Sequence, residues 1–182
     1  MSGHSKWSQI KRQKGVSDAK KSKVFTKHAR LISVESKKSK GIMSASLQSA
    51  VENAKRDNVP KDVIERAIKK GNEAGGENFE EITYECYGPG GSAIIIEAQT
   101  SNRNKAAQEI KHILSKNGFT LASPGSASWA FKKQLPTPEN GNLKWVPETT
   151  VPLSDPDLEI LSKIVDELEE NEEVEEVYTN AE

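Results

Sequence analysis

Residues 79–100 read FEEITYECYGPGGSAIIIEAQT, and this stretch predicts a β-hairpin. Its first part, 79–86, has the apolar alternation of a half-buried strand, and 93–97 has the apolar run of a second strand. The Gly-Pro-Gly-Gly sequence at 88–91 is typical of a tight turn between strands. Such a loop can also cradle a phosphate, but proline removes one N–H donor and no Lys-Ser or Lys-Thr pair follows. The turn is therefore the favoured interpretation.

The remainder of the C-terminal part alternates between helical and extended patterns. We predict helices and short strands in the order helix, strand, helix, strand, at residues 103–116, 126–132, 155–169 and 174–178. Residues 134–150 look like a loop, with 143–146 extended. This order predicts an open α/β sandwich-type domain over residues 79–182, with a mixed sheet and its two helices on one face.

The N-terminal part has a helical period instead. Apolar residues at helical spacing predict amphipathic helices over about 18–37, 43–57 and 60–71, with Gly71 as the stop signal of the last one. Three short helices with brief connections predict a small bundle. The fold class is therefore α+β, with a flexible basic arm (1–16), a three-helix domain (17–71), a linker (72–78) and the α/β domain.

Charge is distributed very unevenly along the chain. The whole sequence has a net charge of −1, but residues 1–72 hold 18 Lys/Arg against 6 Asp/Glu, a net charge of +12. Residues 73–182 hold 8 against 21, a net charge of −13. Such asymmetry indicates that the basic part binds nucleic acid or another acidic surface.

Several classes of protein are excluded or disfavoured. One cysteine, Cys86, allows neither an intramolecular disulfide nor a cysteine-based zinc site. The longest purely apolar run, 93–96, is far shorter than the ~20 residues of a membrane-spanning helix. The N-terminal residues lack the apolar core of a secretory signal. We therefore expect a cytoplasmic protein without membrane contact.

Catalytic patterns are also absent from the sequence. It contains neither the phosphate-binding loop of the nucleoside triphosphatases nor the glycine motif of the dinucleotide-binding enzymes, and it has no nucleophile elbow. His4, His28 and His112 are far apart, and none has metal-ligand spacing. Cys86 lies on a strand pattern and is expected to be buried rather than reactive. We expect no enzyme, no cofactor and no metal.

The strongest functional signal lies between residues 6 and 30, which carry nine Lys/Arg and one acidic residue, Asp18. Basic side chains neutralise phosphates, and an aromatic ring can stack on an unpaired base. Phe25 faces the predicted core, which leaves Trp7 as the candidate for stacking. The candidate contacts are Lys6, Trp7, Lys11, Arg12, Lys14, Lys20, Lys21, Lys23, Lys27 and Arg30.

A second candidate site lies at the start of the helix at 103–116. Asn102, Arg103 and Lys105 together could bind an anion at the helix N-terminus. Ordinary helix capping explains the same residues equally well. The acidic run 166–176, with eight carboxylates in eleven residues, is interpreted as a solvated face.

Nine blocks, in order along nearly the whole chain, resemble the YebC/PmpR family. They are GHSKW (3–7), IKRQK (10–14), DAKK (18–21), FTK (25–27), NVPKD (58–62), IERAIKKG (64–71), YECYGPGG (84–91), TSNRN (100–104) and VYTN (177–180). The family includes mitochondrial relatives that resemble translational activators of cytochrome c oxidase subunit I. The resemblance implies a helical domain, an α/β domain and a third domain inserted into the second.

This sequence departs from the family pattern where the third domain would be inserted. Between Lys133 and Val151 only the 17 residues 134–150 remain, so we expect that domain to be absent. Smaller departures are Ser22 in place of Gly, Ser44 in place of Asn and Gln48 in place of Arg.

The resemblance implies regulation of gene expression through nucleic acid, by one of two activities. One is transcriptional regulation through DNA binding by the basic N-terminal domain. The other is translation support on the ribosome through binding of ribosomal RNA. Two further hypotheses stay open: an RNA-modifying or hydrolytic enzyme that uses Arg103, and a protein-binding adaptor that uses the acidic C-terminal half.

Overall fold

The structure, a computed structural model, describes residues 5–13, 18–74, 78–134 and 144–182. The chain divides into two compact units, one helical and one of mixed α and β structure. The helices are α1 (Lys6–Gln13), α2 (Asp18–Lys38), α3 (Ala45–Arg56), α4 (Lys61–Asn72), α5 (Arg103–Lys116) and α6 (Asp155–Glu170). The strands are β1 (Glu80–Tyr87), β2 (Ala93–Thr100), β3 (Leu121–Ala122), β4 (Phe131–Gln134), β5 (Lys144–Pro147) and β6 (Val174–Thr179). The α+β class is confirmed.

The helical unit contains α2, α3 and α4 in its described part, as the sequence predicted. Helix α3 begins at Ser44, whose hydroxyl oxygen accepts a hydrogen bond from the backbone N–H of Leu47. The three helices bury one apolar core, with Ile32, Leu47 and Ala54 fully shielded from solvent. Burying these side chains is what holds such short helices together, because isolated helices of this length are marginal in water.

Gly71 does not have the role that the sequence predicted. It lies inside α4, which continues to Asn72, rather than at the helix stop. Gly71 is buried at the crossing of α4 with α2, where an added Cβ would lie 2.2 Å from the carbonyl oxygen of Ser33. The absence of a side chain thus permits close approach of two helices, a packing requirement that sequence spacing does not reveal.

The main sheet has strand order β3-β1-β2-β6, and each of its neighbouring strand pairs is antiparallel. The prediction of a mixed sheet is therefore corrected: within the described residues the parallel pairing is one isolated bridge, between Val151 and Ala181. A tight turn joins β1 to β2, as predicted, with Gly90 and Gly91 at positive φ. Such a turn reverses the chain and makes these two strands antiparallel.

Helices α5 and α6 cover one face of this sheet, as predicted. The core there joins sheet residues such as Ile94 and Ile96 to Ile110 of α5 and to Leu161 and Leu168 of α6. Alternation along β2 sends Ile95 to the opposite face.

Strands β4 and β5 form a small antiparallel sheet that packs over this opposite face. The rings of Phe131 and Trp145 meet there edge to face, with centroids 6.5 Å apart. The predicted strand at 126–132 is corrected, because a 3-10 turn occupies Ser128–Ala130 and the strand begins at Phe131. The predicted loop at 134–150 contains β5, while its residues 135–143 lie outside the described part of the chain.

The prediction of a flexible basic arm over residues 1–16 is corrected as well. Residues 6–13 form helix α1, which packs on α6 within the α/β unit. Trp7 anchors it: 8% of the residue is exposed, and its neighbours include residues of the α/β core. Residues 1–16 by themselves carry too little apolar area to be ordered. Pairing with another element supplies the missing area.

Candidate nucleic-acid interface

A line of basic residues runs along α2. Lys23, Lys27 and Arg30 are spaced by three or four residues, which places them on one side of the helix, and Lys20 precedes Lys23 by three residues in the sequence. Lys21 is exposed beside them, and Lys23, Lys27 and Arg30 are half-buried. The side chain of Lys20 lies outside the described part. The five residues predicted on this helix thus share one element of the helical unit.

The end of this line borders a groove between α2 and α4. The groove has a volume of about 430 Å³ and is formed within the helical unit. The guanidinium carbon of Arg30 lies 5.0 Å from the centre of the Phe79 ring, a cation–π contact. Arg66 and Lys70, one turn apart on α4, line the opposite side. Three basic residues therefore line a single concave surface.

Among the residues that the structure describes, no carboxylate lines this groove. Its remaining lining residues are small or apolar: Thr26, Ala29, Ser33, Val63 and Ala67. Arg66 is held by Asp62, with 2.8 Å between the guanidinium nitrogen and the carboxylate oxygen. That pair is exposed on both sides, so an incoming phosphate can compete for the guanidinium.

Sequence reasoning missed three of these residues. Lys70 lies in the last turn of the helix predicted at 60–71, Phe79 begins the strand predicted at 79–86, and Arg66 was noted only as part of the motif at 64–71. The structure begins β1 at Glu80 and leaves Phe79 in the helical unit. The alternation of charged and apolar residues on α4 marks its polar face, but that signal does not indicate which helix lies beside it.

The candidates on α1 are placed differently. Lys6 pairs with Asp155, and Lys11 lies 3.3 Å from a carboxylate oxygen of Glu169. The prediction that Trp7 stacks on a base is corrected, because its side chain is packed in the core and is not exposed to solvent. The backbone of Arg12 belongs to α1, but its side chain lies outside the described part, as does the whole of Lys14.

At the start of α5 the geometry favours capping. The side-chain oxygen of Asn102 accepts a hydrogen bond from the backbone N–H of Lys105, at 3.1 Å. Each predicted cation has an acidic partner: Arg103 pairs with Glu80 at 3.5 Å, and Lys105 with Glu173 at 3.1 Å. The hydrogen bond that Lys105 donates to the Glu173 carboxylate is the main reason that the pKa of Lys105 is raised. An anion would have to displace these carboxylates.

The acidic run is less solvated than predicted. Glu173 is buried, and its carboxylate accepts a hydrogen bond from the ammonium group of Lys105. Glu167 accepts hydrogen bonds from Asn117 and Lys116, which hold its pKa below the usual value in spite of partial burial. These carboxylates tie α5 to the elements beside it.

The cysteine and one histidine that the sequence analysis weighed as reactive groups, Cys86 and His28, lie in structural surroundings. Burial raises the pKa of the Cys86 thiol to about 12, which suppresses its thiolate. No group of three His, Cys, Asp or Glu side chains there is arranged to hold a metal. His28 instead pairs with Asp57, at 2.6 Å between nitrogen and oxygen. None of the described helices combines the length and apolar character needed to cross a membrane.

Two protein-family models match this chain. One, described as the TACO1/YebC protein N-terminal domain, matches residues 5–74. The other, described as the TACO1/YebC second and third domain, matches residues 79–136 and 132–181. The two segments of the second model meet at 132–136, beside the region where the sequence predicts a missing insertion.

Curated relatives of this chain carry the name "Probable transcriptional regulatory protein". One from Petrotoga mobilis is 50% identical over 137 residues, which are 74% of this chain and 55% of that protein. One from Fervidobacterium nodosum is 37% identical over 235 residues, covering 99% of this chain and 93% of the relative. Because 235 exceeds the 182 residues of this chain, the relative contains residues that this chain lacks.

A solved structure has the same fold. It is titled "Crystal Structure of a Conserved Hypothetical Protein Aq1575 from Aquifex Aeolicus", with a TM-score of 0.80 and 28% identity. The similarity covers 91% of each chain. The family models, the relatives and the fold agree: this chain belongs to the TACO1/YebC family, as its motifs predicted.

Proposed function

We propose that this protein is a regulator of gene expression that binds nucleic acid through the helical unit. The observation that carries the proposal is the line of basic residues on α2, which continues into the Arg30 side of the α2–α4 groove. A folded domain does not need such a concentration of like charge, because it costs self-repulsion. Phosphates would relieve that repulsion and release counterions.

DNA is the first target to test, because curated relatives are named transcriptional regulatory proteins. Contacts from lysines to phosphates position a protein without reading the sequence of bases. We therefore expect binding with modest sequence preference. Ribosomal RNA presents the same phosphates and is therefore the alternative target. The experiment below tests an RNA hairpin beside the DNA duplex.

The experiment is a salt titration of affinity. A labelled 20-base-pair DNA duplex and an RNA hairpin of equal length are titrated with the full chain between 50 and 200 mM salt. The variant K20Q/K27Q removes two charges from the α2 line. We expect it to weaken binding and to flatten the slope of log K against log salt by about 2.

A control variant removes equal charge elsewhere. K111Q/K163Q neutralises two exposed lysines of α5 and α6 and should leave affinity and slope unchanged. Equal effects of the two double variants would mean that net charge, not the α2 line, governs binding. The absence of salt-dependent binding to either nucleic acid would overturn the proposed function. A clear preference between duplex and hairpin identifies the target.

A further inference from the structure

We propose that the groove between α2 and α4 binds one unpaired nucleotide, with its base on the Arg30–Phe79 pair and its phosphate on Arg66 and Lys70. This inference rests on the proposed function and deepens it, because it assigns a distinct structural feature of nucleic acid to a distinct site. The line of basic residues on α2 would bind phosphates, which paired and unpaired nucleotides both carry. The groove, by its shape and lining, also selects a base that is free to leave the stack.

The groove has the size and lining of a small-ligand site. Its volume of about 430 Å³ lies within the ~300–1,000 Å³ range that is common for such pockets. Ala29, Val63 and Ala67 contribute methyl groups from both helices. The Ser33 hydroxyl does not compete for ligand, because it is buried and donates a hydrogen bond to the carbonyl oxygen of Ala67 at 2.9 Å. An apolar, concave surface of this kind suits the flat face of a base.

Arg30 and Phe79 supply a platform for stacking. Bases stack both on aromatic rings and on guanidinium planes. The cation–π contact between Arg30 and Phe79 restrains the arginine before any ligand arrives, which lowers the entropy lost on binding. Both side chains are half-buried, so part of each surface stays open to the groove.

The α4 side supplies the charge for a phosphate. Arg66 and Lys70 are four residues apart on one helix, so their side chains project from the same face. With Arg30 they make three cations, and no acidic residue lines the groove in the part of the chain that the structure describes. Flat apolar contact combined with concentrated positive charge matches a nucleotide better than it matches an uncharged small molecule or a cationic one.

The test compares single strands with duplexes of the same sequence. A labelled 12-nucleotide DNA strand, the matching RNA strand and blunt-ended duplexes of each are titrated with the full chain and three variants: F79L, F79Y and R66Q. The fourth variant, K61Q, removes a charge from α4 outside the groove, where Lys61 pairs with Glu65 at 3.5 Å. Thermal unfolding verifies that each variant is folded.

We expect F79L to weaken single-strand binding by about fivefold or more, because base–aromatic stacking is lost. F79Y keeps an aromatic ring and should bind the single strand about as tightly as wild type. Neither variant should change duplex binding much. R66Q should weaken binding and flatten its salt slope by about 1, whereas K61Q should do neither. The affinities of the two single strands distinguish DNA from RNA as the source of the nucleotide.

Cross-linking to the wild-type chain locates the bound strand without any substitution, so the result does not depend on how a variant folds. A single strand with one 4-thio-substituted pyrimidine is irradiated in the complex, and the cross-linked peptides are identified by mass spectrometry. We expect the label on peptides that contain Phe79 or residues 61–70. Labels confined to other segments would overturn the groove assignment.

Three further outcomes are decisive. If wild type binds duplex and F79L reduces single-strand and duplex binding equally, the groove inference fails while the proposed function stands. If wild type binds no nucleic acid, both fail. If a polyglutamate peptide displaces the strand from wild type but does not bind F79L, the groove recognises acidic peptides and the nucleotide assignment is wrong.

Discussion

Gly71 of α4 faces the backbone carbonyl of Ser33 in α2 so closely that a Cβ atom at Gly71 would lie 2.2 Å from that oxygen. The same Cβ would lie 2.8 Å from the Cβ of Ser36. Backbone cannot move aside as a flexible side chain can. The spacing of α2 and α4, and with it the width of the groove, therefore depends on a residue that has no side chain.

Replacing Gly71 should accordingly destabilise the helical unit. We expect G71A to lower the free energy of unfolding by about 1–3 kcal/mol, because the extra methyl group forces the two helices apart. Thermal unfolding followed by circular dichroism at 222 nm measures the change. The control K69A alters an exposed residue of the same turn and should have little effect. Unchanged stability of G71A would contradict the close approach.

Glu85 makes the stability of the α/β unit depend on pH. Burial tends to raise the pKa of its carboxyl, but hydrogen bonds from the backbone N–H groups of Gly125, Ala127 and Ser128 outweigh burial and hold the pKa below its usual value. A lowered pKa in the folded state means stability that is present above the ordinary value of a carboxyl and lost as pH falls through the folded-state pKa.

The variant E85Q tests this arrangement, because its amide group places N–H donors against N–H donors. We expect a loss of about 1–3 kcal/mol in urea unfolding at pH 7. The difference from wild type should shrink as the solution is acidified below the usual carboxyl pKa. The exposed residue Glu81 on the same strand provides the control E81Q, which should cost far less. A difference that grows on acidification would reverse the assigned sign.

Removal of the Trp7 ring should cost much more stability than removal of the Trp129 ring. W7A should destabilise the α/β unit by about 3 kcal/mol or more and expose α1 to proteases, because the ring fills core space. W129A should cost less than about 1 kcal/mol, because Trp129 is 61% exposed and its indole N–H donates to the exposed Tyr87 hydroxyl. Limited proteolysis and thermal unfolding measure both. If W7A were as stable as wild type but lost nucleic-acid binding, Trp7 would be a stacking residue rather than a core residue.

Cys86 should be unreactive in the folded protein. Its side chain is fully buried and its thiol pKa is raised to about 12 by that burial. A disulfide reagent such as DTNB at pH 8 should label it only after urea unfolds the chain. The neutral thiol contributes stability below its ordinary pKa, and this contribution is lost as pH rises toward 12. Rapid labelling of the native protein would show that the α/β core opens readily.

The elements that the sequence predicted best are those specified by local chemistry. The helix at Arg103–Lys116 appears with the predicted ends, since Asn102 caps its start and the following turn at Gly118 takes a positive φ. The hairpin around 88–91 was predicted for a similar reason, because Gly90 and Gly91 adopt conformations that other residues rarely take. Caps and turns involve residues that are neighbours in the chain.

The candidate site was only half predictable. The basic residues of α2 could be identified from their spacing, whereas Arg66 and Phe79 join Arg30 only because α4 and the segment after it pack beside α2. Trp7 was misjudged for the corresponding reason. Its neighbours in sequence are polar, and the apolar surface that buries it comes from α6 and the sheet, far along the chain.

The amino-acid sequence by itself thus determined the α+β class, the separation of a basic part from an acidic part, and the family. Each depends on composition or on patterns that repeat within a few residues. Tertiary structure alone decided that α1 belongs to the α/β unit, that Gly71 sets a helix crossing, and that three cations share one groove with Phe79. These features depend on contacts between residues distant in the chain, where packing geometry rather than local preference sets the distances.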